Sequence, residues 1–475
     1  MLHTDIHDLR SAMKFLQRHG GGVQVIEDEL SVDCQIAQRF AVLGGGVPVK
    51  HNPNPCLPTI FARPREGGMP VLTGLFGRRA DCAKMIGLDP ENVARDFGRY
   101  IDMSLPPVLV DRGACQENIV LKDIDLRRIL PILTLTPQDA GPYITMGVIH
   151  AADPETGEED ITIHRLCVQS ADEMTVYFVP GRHIETFYLK ARRKNQPLPI
   201  TINIGVDPAV TMAACFTYPT CPLGCNELHI AGAIRGRAVE MVRAVTSSAK
   251  AIAHAEIVIE AEIMPDDLPE NAHTSDGYAL PEFLGYIGRA KALLPRVRVK
   301  AITHRNSPIY QTLIGPGAEQ SNILGMPTEA SLYQEIHRAV TNKLTNVYAS
   351  HSGAGKLLAF LQFKKTSSSD DALVRQAGIA AFSAFHELKH VFLLDDDVNI
   401  FDEREVMWAL TTRFQGDKSI IAMSNLNGHP LDPSQSPEFS SLNSLTGTTC
   451  KTVFDCTAPY AMSSKFERAA FDGRR

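Results

Sequence analysis

The segment from Asp160 to Arg165 brings an acid, a histidine and an arginine close together in the sequence. Its β-branched residues predict a strand, and alternate residues of a strand share one face. We therefore expect Asp160 and His164 on one face and Arg165 on the other. Charged side chains in such an apolar strand need partners. A structural ion pair and a functional site are both consistent with this pattern.

Two further segments carry residue types that bind divalent cations. Gly181–Ile184 predicts the start of a helix that contains His183, and Asn226–Leu228 predicts the start of a strand that contains Glu227. Together with Asp160 they form an oxygen-rich set suited to manganese or magnesium. Ligands on three separate elements have no fixed spacing. The sequence alone therefore does not choose between a metal site and helix caps or surface charges.

The elements that must position these residues change in character along the chain. The first hundred residues alternate helix and strand, with helices predicted at Ile6–His19 and Glu91–Met103 and a strand at Pro70–Phe76. From about Pro106, β-branched strands between Gly and Pro turns are typical of a barrel or a strongly curved sheet. The strands predicted there are Ile161–Gln169, Met174–Val179, Ile200–Gly205, Glu227–Ile234, Val239–Thr246, Ala255–Ile263 and Val297–His304.

Beyond Gly325, helices and strands alternate again, which predicts another α/β segment. The chain has 475 residues, more than one core usually supports. We expect an α+β protein in three parts. These are an N-terminal α/β domain over residues 1–105, a central β domain over 106–325 and a C-terminal α/β domain over 326–475.

Composition narrows the class of protein. Hydrophobic residues make up 44% and charged residues 21%, as in ordinary globular proteins. A net charge of -7 lacks the positive field of a nucleic-acid binder, and no apolar stretch approaches the roughly 20 residues of a membrane span. Without a secretion signal at the start, we expect a cytoplasmic protein that binds neither nucleic acid nor membrane. The close pair Cys221 and Cys225 is expected to consist of reduced thiols.

Six short segments are distinctive in combination and occur in a fixed order: Thr136–Pro142, Thr162–Arg165, Pro199–Gly205, Asn226–Leu228, Met326–Ser331 and His429–Ser434. Through them the chain resembles the UbiD-type family of prenylated-flavin-dependent decarboxylases over nearly its whole length. Within that family it is most similar to the hydroxybenzoate decarboxylases that act on protocatechuate or gallate.

This resemblance implies a central split β-barrel that holds prenylated FMN. It also implies that Asp160, His183 and Glu227 bind Mn²⁺ or Mg²⁺, which bridges to the flavin phosphate, and that a potassium ion lies nearby. Many relatives carry Asn at the position of Asp160, and an acid there adds negative charge around a hard cation. The residues that the resemblance assigns to cofactor binding are Ile163, His164, Arg165, Arg182, His183, Glu227 and Lys389.

The resemblance assigns catalysis to Arg165, Glu282 and a second acid. Arg165 would hold the substrate carboxylate in a two-point contact. Glu282 would deliver the proton that replaces carbon dioxide. The second acid would be Glu270 or Asp276, and we favour Glu270.

The implied reaction is the reversible, non-oxidative decarboxylation of an aromatic acid, with protocatechuate or gallate as the expected substrate. A heteroaromatic acid such as indole-, pyrrole- or furan-carboxylate is the alternative substrate. Implied partners are carbon dioxide, a flavin prenyltransferase that supplies the cofactor, and further copies of the chain in a dimer or hexamer. A flavin oxidoreductase and a non-catalytic flavin-binding subunit are the competing classes. The chain lacks a nicotinamide fingerprint, and a scaffold does not need Arg165, Glu282 and the metal-type residues together.

Overall fold

The computed structural model describes residues 5–47, 56–218, 220–274, 276–340, 342–435 and 447–469. The chain divides into two compact units, Met1–Pro327 and Thr328–Arg475. The domain boundaries expected from the sequence stay predictions. No helix among the described residues is long and apolar enough to cross a membrane.

The first hundred residues of the first unit form a small α/β layer. The Asp8 carboxylate caps the first helix by accepting a hydrogen bond from the Ser11 backbone N–H at 2.8 Å. The first two strands are parallel, and the third is antiparallel to the second. The elements are α1 Leu9–His19, β1 Gln24–Leu30, α2 Gln35–Val42, β2 Thr59–Pro64, β3 Val71–Thr73, α3 Arg79–Met85 and α4 Val93–Gly98.

The remainder of the first unit is built around a nine-stranded sheet. Its elements are β4 Val108–Leu109, β5 Asn118–Val120, α5 Leu126–Ile129, β6 Tyr143–Ile144, β7 Val148–Ala152, β8 Glu159–Ile163, β9 Leu166–Val168, β10 Glu173–Val176, α6 His183–Arg193, β11 Leu198–Ile204, α7 Pro208–Ala213, α8 Glu227–Arg235, β12 Glu240–Arg243, β13 Lys250–Ile252, β14 Ile257–Leu268, β15 Tyr278–Pro281, β16 Ile287–Arg289, β17 Leu294–His304 and β18 Tyr310–Gln311.

Every pairing in the nine-stranded sheet is antiparallel. The strand order is β6-β9-β10-β17-β14-β11-β7-β8, and β5 pairs with β17. The long strands β14 and β17 form its centre, and most of their apolar side chains are buried. The sheet thus offers a rigid platform whose β8–β9 region carries the charged segment identified in the sequence.

The strand predicted at Glu227–Ile234 is wrong, because these residues form helix α8. Asn226 caps the helix by accepting a hydrogen bond from the Leu228 backbone N–H at 3.0 Å, and Gly236 ends it in the left-handed conformation. Seven of its nine residues are buried. A short apolar run buried on several sides shows no helical periodicity, so the sequence pattern did not separate helix from strand.

The expectation of reduced thiols at Cys221 and Cys225 is also wrong. The two cysteines form a disulfide with their Cα atoms 5.5 Å apart. That separation lies within the usual range for a disulfide. The other cysteines that the structure describes form no disulfide.

The second unit contains a five-stranded sheet in the order β19-β20-β21-β23-β22. Helix α10 packs against β21 and β23. An aromatic cluster that includes Tyr348, Phe360 and Phe392 contributes to the core. The elements after residue 317 are α9 Ala318–Ala339, β19 Leu344–Ala349, β20 Leu358–Phe363, α10 Asp370–Ala384, β21 His390–Asp395, α11 Glu403–Arg413, β22 Ile420–Asn427 and β23 Thr448–Asp455.

Candidate active site

Asp160, His183 and Glu227 lie together, and each offers one ligand atom within 4.8 Å of the other two. Asp160 is on β8, whereas His183 and Glu227 are the first residues of α6 and α8. The His183 Nδ1 atom lies 2.8 Å from Asp160 Oδ1. The Glu227 carboxylate accepts a hydrogen bond from the Ile161 backbone N–H at 3.4 Å. We call these three residues the acidic cluster.

The acidic cluster is buried, and its charge is not balanced. Asp160 and Glu227 are both 3% exposed. Burial, and then the neighbouring charge of Asp160, raise the pKa of Glu227 well above its ordinary value. In the part of the chain that the structure describes, neither carboxylate forms an ion pair with a lysine or an arginine. A divalent cation would relieve this cost, and the donor set suits a hard cation.

His164 lies next to the acidic cluster in sequence but has a different environment. Its ring packs edge-on against Phe178 at a centroid distance of 4.9 Å. Burial, and then the charge of Arg182, lower the pKa of His164 to about 3, so the ring is neutral. Its Nε2 atom is buried and has no hydrogen-bond partner among the described residues. An unpartnered buried nitrogen is unusual and fits a position that a ligand completes.

Two residues assigned to the cofactor by resemblance lie outside these contacts. Ile163 is half-buried at the end of β8, opposite Val148 of β7. Lys389 belongs to the second unit, where its ammonium lies 2.7 Å from the Asp432 carboxylate and contacts the Ser434 hydroxyl. The cofactor roles of both residues stay predictions.

Arg165 lies where β8 has ended and β9 has not begun, so the strand predicted at Ile161–Gln169 is interrupted there. Its guanidinium donates through Nε and Nη2 to Glu270, at 2.9 and 3.1 Å, and through Nη1 to Glu282. We call Arg165, Glu270 and Glu282 the arginine cluster. Burial opposes the charge of Arg165, but Glu282 and Glu270 raise its pKa overall, so it stays cationic.

The two glutamates of the arginine cluster are held very differently. Glu270 is fully buried and also accepts hydrogen bonds from the Tyr143 hydroxyl at 3.1 Å and the Lys291 backbone N–H at 2.9 Å. The Glu282 side chain is 13% exposed, and in the described ranges Arg165 is the one residue that donates a hydrogen bond to its carboxylate. Burial raises the pKa of Glu282 despite the opposing charge of Arg165. Asp276, the alternative second acid, is exposed.

Sequence reasoning missed three residues around the arginine cluster: Tyr143, Tyr177 and Lys291. The Tyr177 ring lies 4.4 Å from the Arg165 guanidinium and 5.4 Å from the Lys291 ammonium. Tyr143 directly follows the distinctive segment Thr136–Pro142, which was the only sequence signal for it. Tyr177 and Lys291 reach the cluster from separate strands or loops, and no local pattern marks them.

Three family models match this chain in succession. They are the N-terminal, Rift-related and C-terminal domains of 3-octaprenyl-4-hydroxybenzoate carboxy-lyase, at residues 15–101, 108–318 and 321–456. The chain therefore belongs to the UbiD family of carboxy-lyases. The predicted fold class, with α/β domains on either side of a central β domain, is confirmed.

Particular relatives lie in the hydroxybenzoate branch. A gallate decarboxylase of Lactiplantibacillus plantarum is 42% identical over 409 residues, which cover 84% of each chain. The apo structure of a 3,4-dihydroxybenzoic acid decarboxylase from Enterobacter cloacae has a TM-score of 0.94 and 43% identity, covering 99% of this chain and 98% of the other. The predicted branch of the family is thus confirmed.

A third relative contains a flavin. The UbiD-class enzyme HmfF from Pelotomaculum thermopropionicum in complex with FMN has a TM-score of 0.86 and 33% identity, covering 98% of both chains. An evolved dimeric form of that enzyme was solved in complex with prFMN.

Proposed function

We propose that this chain decarboxylates a hydroxybenzoate, such as protocatechuate or gallate, with prenylated FMN and a divalent cation as cofactors. The observation that carries the proposal is the arrangement of Arg165. Glu270 binds its Nε and Nη2 groups, and Glu282 binds Nη1. A guanidinium has five N–H donors, and three are used in this way, so two remain for a substrate carboxylate. The gallate and 3,4-dihydroxybenzoic acid decarboxylases among the relatives support the substrate class.

The residues of the acidic cluster fit the proposed cofactors. Two buried carboxylates and an imidazole suit Mn²⁺ or Mg²⁺. His183 and Glu227 stand in the first turns of α6 and α8, where unpaired backbone N–H groups and the helix dipole favour a phosphate. The FMN and prFMN complexes of HmfF support the flavin. Ile163, His164 and Arg182 are proposed to contact it.

Loss of carbon dioxide from an aromatic ring leaves an electron pair that the ring cannot delocalise, and the prenylated flavin supplies the electron sink. Arg165 binds the substrate carboxylate and orients the bond that breaks. Glu270 keeps the arginine in place from the opposite side. The raised pKa of Glu282 favours its protonated form, which can donate a proton to the ring carbon that loses carbon dioxide.

Substrate binding also acts on Glu282. Arg165 then contacts three carboxylates, which repel one another unless one of them carries a proton. Binding of the substrate anion therefore favours protonation of Glu282 at the moment when a proton donor is needed. This coupling links substrate binding to catalysis through one arginine.

The proposed function is tested with protein co-expressed with a flavin prenyltransferase and supplied with manganese and potassium. Loss of protocatechuate, gallate, indole-3-carboxylate and pyrrole-2-carboxylate is followed by chromatography. We expect catechol from protocatechuate or pyrogallol from gallate. Turnover of only the heteroaromatic acids would overturn the proposed substrate class. No turnover with spectroscopically confirmed cofactor would overturn the proposed reaction for these rings.

We further infer that the chain works as a homo-oligomer and binds K⁺ beside the divalent cation. The dimeric form of HmfF supports oligomer formation. Light scattering of the loaded protein would give the number of subunits. Metal analysis after dialysis, with and without potassium, would show whether K⁺ is retained together with manganese.

A further inference from the structure

Glu270 is the most firmly held side chain of the arginine cluster. Its carboxylate accepts four hydrogen bonds: two from Arg165, one from the Tyr143 hydroxyl and one from the Lys291 backbone N–H. The side chain is excluded from solvent. A buried carboxylate with four donors is fully satisfied and has one defined orientation.

The backbone of Glu270 is held as well. Its carbonyl accepts a hydrogen bond from the Gln169 side-chain amide at 2.8 Å, and its N–H donates to the Lys291 carbonyl at 3.1 Å. The backbone carbonyl of Gln169 in turn contacts the His273 ring. Glu270 cannot move without breaking these contacts. Because Arg165 binds Glu270, the position of the guanidinium relative to the sheet is fixed as well.

Besides Arg165, Tyr143 is the one residue in the described chain whose side chain donates a hydrogen bond to Glu270. It lies on β6, which pairs with β9 immediately after Arg165. The ring is fully buried, and burial raises the pKa of the phenol above its ordinary value. The hydroxyl therefore stays protonated and donates a hydrogen bond. The Tyr143 hydroxyl thus shares Glu270 Oε1 with Arg165 Nε and helps to fix the position of this oxygen.

We propose that Tyr143 is a positioning residue for the substrate carboxylate: its hydroxyl holds Glu270, and Glu270 holds the Arg165 fork at the angle that binds the acid. This inference rests on the proposed function. Tyr143 contacts neither substrate nor cofactor in this role. Its effect passes through two charged groups and reaches only ligands that bind the guanidinium.

This role has a signature that separates it from general support of the fold. Removal of the hydroxyl leaves the aromatic ring and its packing in place, but Glu270 Oε1 loses one of its hydrogen-bond donors. The Arg165 fork then loses part of its orientation, which weakens binding of a carboxylate. A ligand that lacks a carboxylate does not depend on the fork, so its affinity stays the same.

The test is Tyr143→Phe in the flavin-loaded protein, with three ligands compared. These are protocatechuate as substrate, benzoate as a competitor that has the carboxylate, and catechol as the product that lacks it. We expect the KM for protocatechuate and the inhibition constant of benzoate to rise about three- to tenfold, as for loss of one hydrogen bond. The inhibition constant of catechol should change by less than about twofold.

Tyr310→Phe is the matched control. Tyr310 is also fully buried, and its hydroxyl has no hydrogen-bond partner in the residues that the structure describes. Removal of this hydroxyl should leave all three constants as they are. If Tyr143→Phe does not fold, Glu270→Asp tests the same link, because it withdraws the carboxylate by one methylene while keeping its charge.

Equal weakening of benzoate and catechol would overturn the positioning role, as would constants identical to those of Tyr310→Phe. Failure of the proposed function is a separate result, because it appears as absence of turnover in the unmutated protein. In that case calorimetric binding of benzoate and catechol to the loaded protein still decides the role of Tyr143. Selective loss of benzoate binding supports it, and unchanged binding overturns it.

Discussion

The acidic cluster and the arginine cluster each take one residue, Asp160 and Arg165, from the same short segment, and both combine two acids with a nitrogen base. They differ in what balances the charge. Glu270 and Glu282 share a permanently charged guanidinium, whereas the one nitrogen base beside Asp160 and Glu227 in the described residues is the His183 imidazole. The arginine cluster is therefore nearly complete without a cation, and the acidic cluster is not.

This difference indicates a division of work between the clusters. Excess negative charge at the acidic cluster is useful only where a metal ion and a phosphate complete the site. The guanidinium of the arginine cluster can instead bind a further carboxylate through its two remaining N–H groups, which is what substrate binding requires. Substitutions in the two clusters test this division.

Glu282→Gln should abolish proton delivery while keeping the size and polarity of the side chain. We expect turnover to fall by about 100- to 10,000-fold, the usual contribution of a general acid. Flavin binding, followed by absorbance, should be unchanged. Glu262→Gln is a suitable control, since Glu262 lies on β14 of the nine-stranded sheet and its one ion pair in the described chain is with Lys300 at 3.6 Å. Full turnover by Glu282→Gln would remove Glu282 from the mechanism.

Arg165→Lys keeps the positive charge but removes the planar fork. We expect the KM for protocatechuate to rise about 10- to 100-fold, because a lysine cannot bind Glu270 and the substrate carboxylate together in two-point contacts. Arg192→Lys, at an exposed pair with Asp267, provides the control. A KM unchanged in Arg165→Lys would show that charge alone suffices and would weaken the comparison between the clusters.

Glu227→Gln removes one charge from the acidic cluster. Manganese affinity, measured by calorimetry on the protein, should fall about 10- to 100-fold. Without metal the same variant should unfold at a temperature at least as high as the unmutated protein, because the buried repulsion between Glu227 and Asp160 is gone. Lower stability of the metal-free variant would contradict the view that this cluster is incomplete by itself.

Glu319 is a third kind of buried acid, because its hydrogen-bond donors in the described chain are uncharged groups. Its carboxylate accepts hydrogen bonds from the backbone N–H groups of Gly74 and Phe76 at 2.7 and 3.2 Å. Burial nevertheless raises its pKa to about 7 from an ordinary value of 4.5. The folded protein therefore binds more protons than the unfolded chain between these values, and stability falls as the pH rises through this window.

Glu319→Gln should remove this pH dependence, although its single amide oxygen can accept from only one of the two N–H groups, which bind different oxygens of Glu319. We expect the free energy of unfolding to change less between pH 5 and pH 8 in the variant than in the unmutated protein, by on the order of 2 kcal/mol. Urea denaturation at the two pH values measures it. Parallel behaviour of the two proteins would show that Glu319 is ionised throughout.

Much of the fold followed from local patterns. The predicted helix ending at His19, the long strands that became β14 and β17, and the alternating elements of the last segment all appear in the structure. Helix α1 has a clear cap at Asp8, and the strands β14 and β17 are rich in β-branched residues. Helix α8 was missed because its burial removes the polar face on which recognition of a helix depends.

The amino-acid sequence was enough to show which residue types were available and, through the distinctive segments, the family to which the chain belongs. It also placed Asp160 and Arg165 on different faces, and the structure assigns them to different clusters. Only the tertiary structure decided that Glu270 and not Asp276 contacts Arg165, that Tyr143 holds Glu270, and that Glu282 is the less restrained acid. These contacts join residues more than a hundred positions apart, and their geometry depends on strand pairing that no local pattern encodes.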